Sequence, residues 1–518
     1  MTKEYYDWVL FGDHIQTMDS NNPSAEMIAI KNEKFVYVGQ YKEKILNNAI
    51  ISTDLKEKAI IPGFIDLHTH LWKDSAILSI DLSKISTYRE ALDKIKEEIS
   101  KKKRDDWIFV SNWDESKWFD SKKFIQKEDL DRISPNNPVY AKREDGHLVV
   151  VNTLALAALN LDLNHPGVEK DSSGIPSGIL KDVWIDMTPF YKDLIPQSIE
   201  KAASFAASKG ITSVVDNLTI TPEGQKNILR AYFALDTANK LPIRVFLNPT
   251  RNSLIEFHAI GITQNWGSSH LRFSGFKGFY DGALGAYTAL LSSKYEDSDT
   301  KGKFFLNEDE LIEQIEFAEE NEYTICIHAI GDQAIERLLN CYEIAIKRSG
   351  KTHTERRHRI EHAEFISTTQ IQKARDLGII LSMQPNFLKW QYPGELYEQR
   401  LGKNRFLKLN RFNTILAQKA HLSFGSDNMP LDPLFGIKEA SIFPSHEVQI
   451  SLSEAIKAYT IKNAEALFME SYLGSITKNK YADFVILKKP LDMLDPKDID
   501  SKLIDSTIVG GSIIYQSK

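Results

Sequence analysis

Short apolar runs alternate with amphipathic segments of helical length through the middle of the 518-residue chain. This alternation is typical of βα units arranged around a parallel sheet. The predicted strands are residues 60–68, 212–216, 243–247, 273–280, 323–328, 358–362, 379–384 and 422–426. Eight such strands favour an α/β protein with a (β/α)8 TIM-like barrel, since no glycine-rich phosphate turn, common in open doubly wound sheets, follows the first of them.

Both ends of the chain show a different pattern, in which short β-like runs are separated by turns. These runs are residues 8–11, 14–18, 27–30, 35–38, 482–487 and 507–515. We expect residues 1–60 and 471–518 to join in one small β-sandwich domain, and residues 61–470 to form the barrel. The interval of about 72–196 is too long for one βα connection, so it is predicted to be an insertion after the first barrel strand that covers the barrel mouth.

Composition and charge indicate an ordinary globular protein and argue against a nucleic-acid-binding one. Hydrophobic residues make up 42% and charged residues 26% of the chain, as in an average globular protein. The formal net charge is -7 and basic runs such as Lys101–Arg104 are short, so no nucleic-acid partner is expected. The two cysteines, Cys326 and Cys341, offer neither a disulfide framework nor a Cys-based zinc site.

The apolar runs are all much shorter than the roughly 20 residues of a membrane span. The first residues are acidic where a signal peptide has a basic segment. We therefore expect a cytoplasmic protein without a membrane partner, and a homo-oligomer stays an open alternative to a monomer.

Two histidines stand near the end of the first predicted barrel strand. In the sequence Asp-Leu-His-Thr-His, the strand period of two puts Asp66, His68 and His70 on one face. Two imidazoles that converge on one point suit a divalent metal such as zinc. The pair alone is equally compatible with two surface histidines, but its position at the end of an apolar strand favours a metal site.

Three more residues of this chemistry follow predicted strands: His328, His362 and Asp427. Each of them taken singly is explained as well by a structural hydrogen bond. The functional residues of barrel enzymes, however, come from the C-terminal ends of several different strands. Their recurrence at such positions therefore favours one shared site.

Lys277 lies within an otherwise apolar predicted strand. Burying its ammonium group is costly unless the charge is paired or removed. One solution is a carbamylated lysine, whose carboxylate bridges two cations. The equally weighted alternative is an ion pair with Asp281 or a side chain that reaches the rim.

The order His-x-His, strand lysine, His, His, Asp resembles the amidohydrolase superfamily. The motifs Lys-Gly-Phe-Tyr-Asp-Gly-Ala-Leu-Gly, His-Ala-Ile-Gly-Asp, Arg-Ile-Glu-His-Ala and Gly-Ser-Asp look like its amidohydrolase family 3 branch, which includes N-substituted formamide deformylases. The similarity runs over nearly the whole chain. Two departures from the branch, Asn112 and Ala283, are expected near the substrate pocket.

The resemblance implies a metal shell on the side chains of His68, His70, Lys277, His328, His362 and Asp427. It implies one or two divalent ions, with zinc as the expected metal. If Lys277 is carbamylated, it would bridge a binuclear metal centre, and otherwise a single-metal site remains.

Five further residues are predicted to line a substrate pocket: Trp113, Arg143, His147, Asp281 and Trp390. For Arg143, His147 and the two tryptophans, the alternative is a structural role in packing the insertion against the barrel. Glu361 alternates away from His362 along its strand, so we expect it to be an outer support.

These expectations describe a metal-dependent hydrolase that cleaves a non-peptide carbon–nitrogen bond, of amide type such as N-formyl or N-acyl, in a small molecule. Asp427 is the predicted general acid and base, which takes the proton of the attacking water and passes it to the leaving amine. A deaminase or an ester hydrolase is the first alternative, because metal-activated water serves all three reactions. The second is a non-catalytic binding or regulatory protein that retains the metal site.

Overall fold

A computed structural model describes residues 5–73, 79–159, 161–183, 185, 195–219 and 221–518. The strands are β1 (Tyr6–Gln16), β2 (Ser24–Lys31), β3 (Lys34–Gly39), β4 (Ala49–Asp54), β5 (Ala59–Pro62), β6 (Phe64–Thr69), β7 (Ser79–Asp81), β8 (Ile108–Trp113), β9 (Val139–Arg143), β10 (Leu148–Val151), β11 (Val168–Lys170), β12 (Pro176–Lys181), β13 (Ile211–Asn217), β14 (Arg244–Asn248), β15 (Leu271–Phe273), β16 (Phe276–Phe279), β17 (Ile325–Ala329), β18 (Arg359–His362), β19 (Ile380–Met383), β20 (Leu422–Phe424), β21 (Phe484–Leu487), β22 (Ile504–Val509) and β23 (Ser512–Gln516).

The helices follow the same order along the chain. They are α1 (Glu43–Leu46), α2 (Tyr88–Ile99), α3 (Lys127–Ile133), α4 (Thr153–Ala158), α5 (Ile195–Ser208), α6 (Pro222–Thr237), α7 (Leu254–Ala259), α8 (Glu308–Asn321), α9 (Asp332–Arg348), α10 (Thr368–Leu377), α11 (Leu396–Arg405), α12 (Phe412–Ala417), α13 (Pro433–Ile442), α14 (Leu452–Ala458) and α15 (Ile461–Ala466). Because strands and helices alternate from β13 to β20, the α/β class is confirmed.

Parallel strands in the middle of the chain form two sheets. One has the order β15-β14-β13-β6 and the other the order β16-β17-β18-β19-β20. Each of the eight predicted segments contains a strand, but two segments are broken. Gly63 interrupts residues 60–68, where a Cβ atom would lie 2.2 Å from Thr212 Oγ1, and residues 273–280 split around Gly275, where a Cβ atom would lie 3.0 Å from Cys326 Sγ.

Main-chain hydrogen bonds connect the two parallel sheets at both of their edges. The N–H of Asp427, beyond β20, donates to the carbonyl of His68 in β6 at 2.7 Å. At the opposite edge, the N–H of Lys277 in β16 donates to the carbonyl of Pro249, just after β14, at 2.7 Å. The C-terminal ends of the strands from both sheets therefore face one shared space.

Helices cover the outer faces of these sheets and bury one apolar stripe each. Ala203 of α5, Leu338 of α9, Ile371 of α10 and Ile437 of α13 belong to a single buried cluster with the strands. Gly378 ends α10 at φ 77°, a left-handed conformation that suits glycine. Within the described residues, no helix combines the length and the apolar composition that a bilayer crossing requires.

The ends of the chain meet in one eight-stranded sheet of order β23-β22-β21-β5-β1-β2-β3, with β4 also paired to β1. The antiparallel pair of β5 and β21 joins the two ends directly, with Ala59 opposite Leu487 and Pro62 opposite Phe484. The shared β unit is thus present as predicted, while its arrangement as a sandwich and the domain limits stay predictions. The sheet crosses the first of those limits, because β5 continues to Pro62.

The predicted insertion forms a compact unit in its described part. Its six strands follow the order β11-β12-β10-β9-β8-β7, and α2 and α3 pack on them. Trp113 and Trp118 stack at 6.0 Å between ring centroids inside its own apolar cluster. The insertion therefore has a core of its own and does not depend on the parallel sheets for all of its burial.

A buried ion pair fastens the terminal sheet to the parallel sheets. Arg244 of β14 donates from Nε and Nη2 to Asp483, just before β21, at 2.7 and 2.9 Å. We expect Arg244→Met to lower the stability by about 3 kcal/mol, because a buried carboxylate loses its partner. Thermal unfolding followed by circular dichroism measures the change.

The matched control is Arg89→Met, which removes an exposed ion pair with Asp93 and should leave the midpoint nearly unchanged. Equal midpoints for Arg244→Met and the natural protein would contradict the structural importance of the pair.

Candidate metal centre

Six side chains converge where the parallel strands of both sheets end. They are His68 in β6, His70 just after it, Lys277 in β16, His328 in β17, His362 at the end of β18 and Asp427 beyond β20. All except His70 and Asp427 are almost fully buried, and those two side chains are 16% and 12% exposed. The structure thus brings together every residue that the sequence predicted for the metal shell.

Distances within the cluster are short enough for shared coordination. One potential ligand atom each from His68, His362 and Asp427 lies within 4.8 Å of the others. His70 Nε2 is 3.2 Å from Asp427 Oδ1, and the rings of His328 and His362 lie 4.4 Å apart between centroids. A set of imidazole nitrogens with a carboxylate oxygen fits zinc and neighbouring divalent metals.

The outward ring nitrogens of the first two histidines are fixed by hydrogen bonds. His68 Nδ1 lies 2.6 Å from Glu361 Oε2, and His70 Nδ1 lies 2.9 Å from the carbonyl oxygen of Asn217. Both acceptors require the proton on Nδ1, which leaves Nε2 with the lone pair. Such outer partners orient metal-binding histidines and raise their basicity.

The other two histidines, His362 and His328, are held through different ring nitrogens. His362 Nδ1 lies 2.7 Å from Gln384 Oε1, while His328 uses Nε2 toward the carbonyl oxygen of Gly282 at 3.1 Å. The nitrogen that remains for a metal is therefore Nε2 in His362 and Nδ1 in His328. The geometry assigns a tautomer to each ring.

Burial also sets the protonation of these rings. It lowers the pKa of His68, His328 and His362, and neighbouring positive groups lower it further, Lys277 for His68 and His147 for His328. A lowered pKa keeps the imidazole neutral at pH 7. Only the neutral form binds a metal, so the electrostatics match the donor set.

Glu361 is the buried support that the strand alternation predicted. Besides His68, its carboxylate accepts hydrogen bonds from Arg359 Nε at 2.7 Å and from Ser382 Oγ at 2.7 Å. Burial alone would raise its pKa, but Arg359 and His68 outweigh that effect and hold the pKa well below its ordinary value. Glu361 is therefore an ionised acceptor.

Lys277 extends into the cluster, with Nζ 3.3 Å from His68 Nε2. Burial lowers its pKa to about 8, although Glu361 and Asp427 oppose the shift. The alternative ion pair with Asp281 is not formed, because Asp281 accepts the backbone N–H groups of Leu290, Ile330 and Gly331 instead. The ammonium group thus lies among the predicted ligands, and no carboxylate of the described residues forms a salt bridge with it.

Asp427 and His362 both have left-handed backbones, at φ 52° and 75°. Residues other than glycine rarely adopt this conformation, and its occurrence is concentrated at functional sites. Burial would raise the pKa of Asp427, but His68 and His70 hold it well below the ordinary value. Nearby, a Cβ atom on Gly425 would lie 2.5 Å from His68 N, so glycine allows this loop to approach β6.

A cavity opens directly over the cluster. Its outer part is lined by His68, His70, Asn112, Lys142, Glu144, Asp145, Gly146, His147, Lys277, Phe279, His328, His362, Asp427, Asn428 and Met429. Six of these residues, Asn112 to His147, come from the insertion, which therefore forms one wall of the cavity. The inner part is lined by Asp145, His147, Ala283, Leu284, Gly285, His328, Ile330, His362, Glu364, Phe387, Trp390, Leu396, Tyr397, Asp427 and Met429.

The five predicted pocket residues fall into two groups. His147 and Trp390 line the cavity. Trp113 lies behind the lining and donates from Nε1 to the carbonyl of Ala141 at 3.1 Å. Arg143 is also behind it, and Asp281 is buried under His328, with 3.7 Å between Asp281 Oδ1 and His328 Nε2.

Arg143 holds the wall of the cavity in place. Its guanidinium is buried among three carboxylates, with contacts of 2.8 Å to Glu115, 2.6 Å to Asp145 and 3.1 Å to Asp114. Asp145 in turn lines both parts of the cavity. Arg143 therefore does not line the cavity itself and acts on it through Asp145, which does.

Sequence reasoning did not single out three polar residues of the site. Gln384 fixes His362, and Asp182 lies 2.6 Å from His147 Nδ1 through its Oδ1. Glu364 lines the inner cavity, and burial raises its pKa to about 8. Gln384 ends a predicted strand and Glu364 lies two residues beyond the end of another, so both are close to the strand ends that marked His328 and Asp427, whereas nothing local distinguishes Asp182.

The sequence matches the model of the amidohydrolase family over residues 52–515. The chain is 28% identical to the amidohydrolase YtcJ of Bacillus subtilis (strain 168), over 98% of both chains. It is 24% identical to an N-substituted formamide deformylase of Arthrobacter pascens, over 94% of both. A crystal structure of a metal-dependent hydrolase from Pyrococcus horikoshii OT3, 25% identical, superposes with a TM-score of 0.74 over 96% of this chain and 99% of that one.

The family match and the similarity to a metal-dependent hydrolase show that the protein is a hydrolase. The chain belongs to the amidohydrolase family, because the family model covers most of its length.

Glu361 provides a test of the metal centre that leaves every predicted ligand in place. Glu361→Gln keeps an acceptor for Arg359 but weakens the hold on His68, so we expect the affinity for zinc to fall by about 10- to 100-fold. Competition with a chromophoric chelator measures the affinity.

Glu313→Gln, on the exposed side of α8, is the control and should bind zinc as the natural protein does. Unchanged affinity in a correctly folded Glu361→Gln protein would contradict the assigned role of Glu361 in orienting His68.

Proposed function

We propose that the protein is a metal-dependent hydrolase that cleaves an amide-type carbon–nitrogen bond, such as that of an N-formyl or N-acyl amine. The observation that carries the proposal is the convergence of His68, His362 and Asp427 within 4.8 Å at the base of a cavity. Membership of the amidohydrolase family and the similarity to a formamide deformylase support this bond type. A small-molecule substrate fits this cavity, one wall of which is formed by the insertion.

The metal shell is proposed to hold one or two divalent cations, with zinc as the preferred metal. Its members are His68, His70, Lys277, His328, His362 and Asp427. When bound, such a cation lowers the pKa of water and polarises a carbonyl group as a Lewis acid. The chain's contribution is a set of neutral, preoriented imidazoles, which need little rearrangement on binding.

Asp427 is the proposed proton carrier. Its lowered pKa keeps it ionised at neutral pH, so it can accept a proton from the attacking water. It lines both the outer and the inner cavity, and from this position it can pass the proton to the leaving amine nitrogen. His147 lines the same space, and Asp182 holds its ring for contact with the substrate.

Lys277 is proposed to be carbamylated and to bridge a binuclear centre. Carbamylation requires the neutral amine, and a pKa of about 8 leaves roughly a tenth of the side chain neutral at pH 7. The carbamate would replace an isolated buried cation by a carboxylate. A negatively charged group of this kind can bridge two adjacent divalent ions, whereas an ammonium group would repel them.

The fold proposed for this function is a closed (β/α)8 barrel, with the terminal sheet bent into a sandwich beside it. The hydrogen bonds at both edges of the parallel sheets, from Asp427 and from Lys277, support closure. Closure gives the strand ends a common mouth.

Asp427→Asn tests the proton carrier. The amide side chain cannot accept a proton, so we expect kcat to fall by about 100-fold or more, whereas the folded structure persists. Release of formate from N-formyl amines and of acetate from N-acetyl amines measures turnover.

Asp376→Asn, an exposed position in α10, is the matched control. Near-normal turnover of Asp427→Asn would exclude the assigned role. If the natural protein hydrolyses neither kind of amide, release of ammonia from ring amines would assign it to the deaminases, and release of an alcohol from esters would assign it to the ester hydrolases.

The carbamate is tested with ¹³C-labelled bicarbonate. We expect a carbamate carbon signal in the natural protein and its loss in Lys277→Met, with Lys408→Met as an exposed control. Because the neutral fraction of the amine falls as the pH falls below about 8, uptake of the label by the metal-free protein should slow from pH 8 to pH 6 when the concentration of dissolved ¹³CO2 is held constant. An identical signal in Lys277→Met would exclude the bridge.

A further inference from the structure

The inner cavity ends at a carboxyl group that no metal ligand uses. Glu364 is 2% exposed and follows His362 by two residues, beyond the end of β18. Its side chain accepts hydrogen bonds from Tyr397 and Asn410. Its second oxygen, Oε2, is buried and has no hydrogen-bond partner among the described residues.

An unpartnered carboxyl oxygen in a buried position is unfavourable, and native proteins rarely retain one without a function. Glu364 lies on the wall of the inner cavity. A ligand with a hydrogen-bond donor would supply what the protein side chains do not. The missing hydrogen-bond partner of Glu364 Oε2 could therefore be part of a substrate that extends from the metal centre into the inner cavity.

Aromatic rings surround the same space. Phe387 and Trp390 lie 5.2 Å apart, and Trp390 and Tyr397 lie 6.0 Å apart, between ring centroids. All three line the inner cavity. Aromatic faces next to a carboxyl group form a favourable environment for an organic cation.

Apart from Tyr397, the ionisable groups of the wall are acids and histidines. The described residues that line the inner cavity include the acids Asp145, Glu364 and Asp427 and the histidines His147, His328 and His362, and none of those residues is a lysine or an arginine. Asp145 is paired with Arg143, and Asp427 is near His70. Glu364 is the acid of this wall whose hydrogen bonding is incomplete.

We propose that the inner cavity is a subsite for an ammonium group of the substrate, with Glu364 as the specificity-determining residue. This inference rests on the proposed amide hydrolysis and names its substrate class, the N-formyl or N-acyl derivatives of diamines. The acyl-bearing nitrogen lies at the metal centre, and the second amine extends to Glu364.

The experiment compares substrates that differ only at the far end. N-formyl diamines with two to five methylene groups are each paired with the N-formyl alkylamine in which a methyl group replaces the ammonium. We expect the natural protein with its metal to prefer the diamine derivative, at one spacer length, by at least about tenfold in kcat/KM. Glu364→Gln should abolish this preference and retain hydrolysis of the alkyl compound.

Glu395→Gln removes a charge at an exposed position just before α11 and should leave the preference unchanged. Metal content and circular dichroism verify that each variant is folded and loaded. The proposal is overturned by a natural protein that shows no preference at any spacer length, or by a preference that persists in Glu364→Gln.

A binding measurement separates this inference from the proposed reaction. Calorimetry at pH 9, where a carboxyl group with a pKa of about 8 is ionised and an alkylammonium is still protonated, compares the affinity of pentylammonium for the natural protein, Glu364→Gln and Glu395→Gln. A loss of at least about tenfold in Glu364→Gln alone supports the subsite even if no formamide is hydrolysed, a result that would refute only the reaction. Equal affinities in all three proteins, together with turnover of formamides, would refute only the subsite.

Discussion

The carboxylate of Glu361 connects the two parallel sheets inside the molecule. It belongs to β18, yet it holds His68 of β6 in the other sheet, and it also accepts from Arg359 and Ser382. Burying a carboxylate is costly unless hydrogen bonds compensate its charge. Since His68 is a predicted metal ligand, the contact that compensates the buried charge also orients that imidazole.

The remaining histidines follow the same principle with weaker partners. A main-chain carbonyl holds His70, a second carbonyl holds His328, and the amide of Gln384 holds His362. Each ring thereby has one nitrogen assigned to the protein and one to the cavity. The rings of His68, His328 and His362 are neutral donors, and among the described residues no carboxylate forms a salt bridge with the Lys277 ammonium beside them. This is the environment in which the proposed carbamate would form.

The convergence of these side chains could be predicted in large part because its signal is local. His68 and His70 share a strand face, and His328 and Asp427 stand at the ends of apolar runs, so strand periodicity and strand ends select them as candidates, and the family resemblance joins them in one site. The breaks at Gly63 and Gly275 could not be predicted, because they depend on how closely Thr212 and Cys326 approach from other strands.

The wall of the cavity was harder to predict, because its contacts also join residues that are distant in the sequence. Arg143 looked like a ligand of the substrate because a buried arginine and a pocket arginine have the same sequence signature. The carboxylates that surround it, Asp114, Glu115 and Asp145, are placed by the fold of the insertion. Glu364 follows a predicted strand, but its incomplete hydrogen bonding becomes apparent only when Tyr397 and Asn410 are seen beside it.

The shared terminal sheet has a consequence for biosynthesis. On the ribosome, β5 is made early, whereas its antiparallel partner β21 emerges more than 400 residues later. At a typical elongation rate this delay is on the order of half a minute. If β1 to β5 pair during that time, β5 lies at an exposed edge of the nascent sheet, and productive folding then requires that this edge is protected from intermolecular pairing until the last strands arrive.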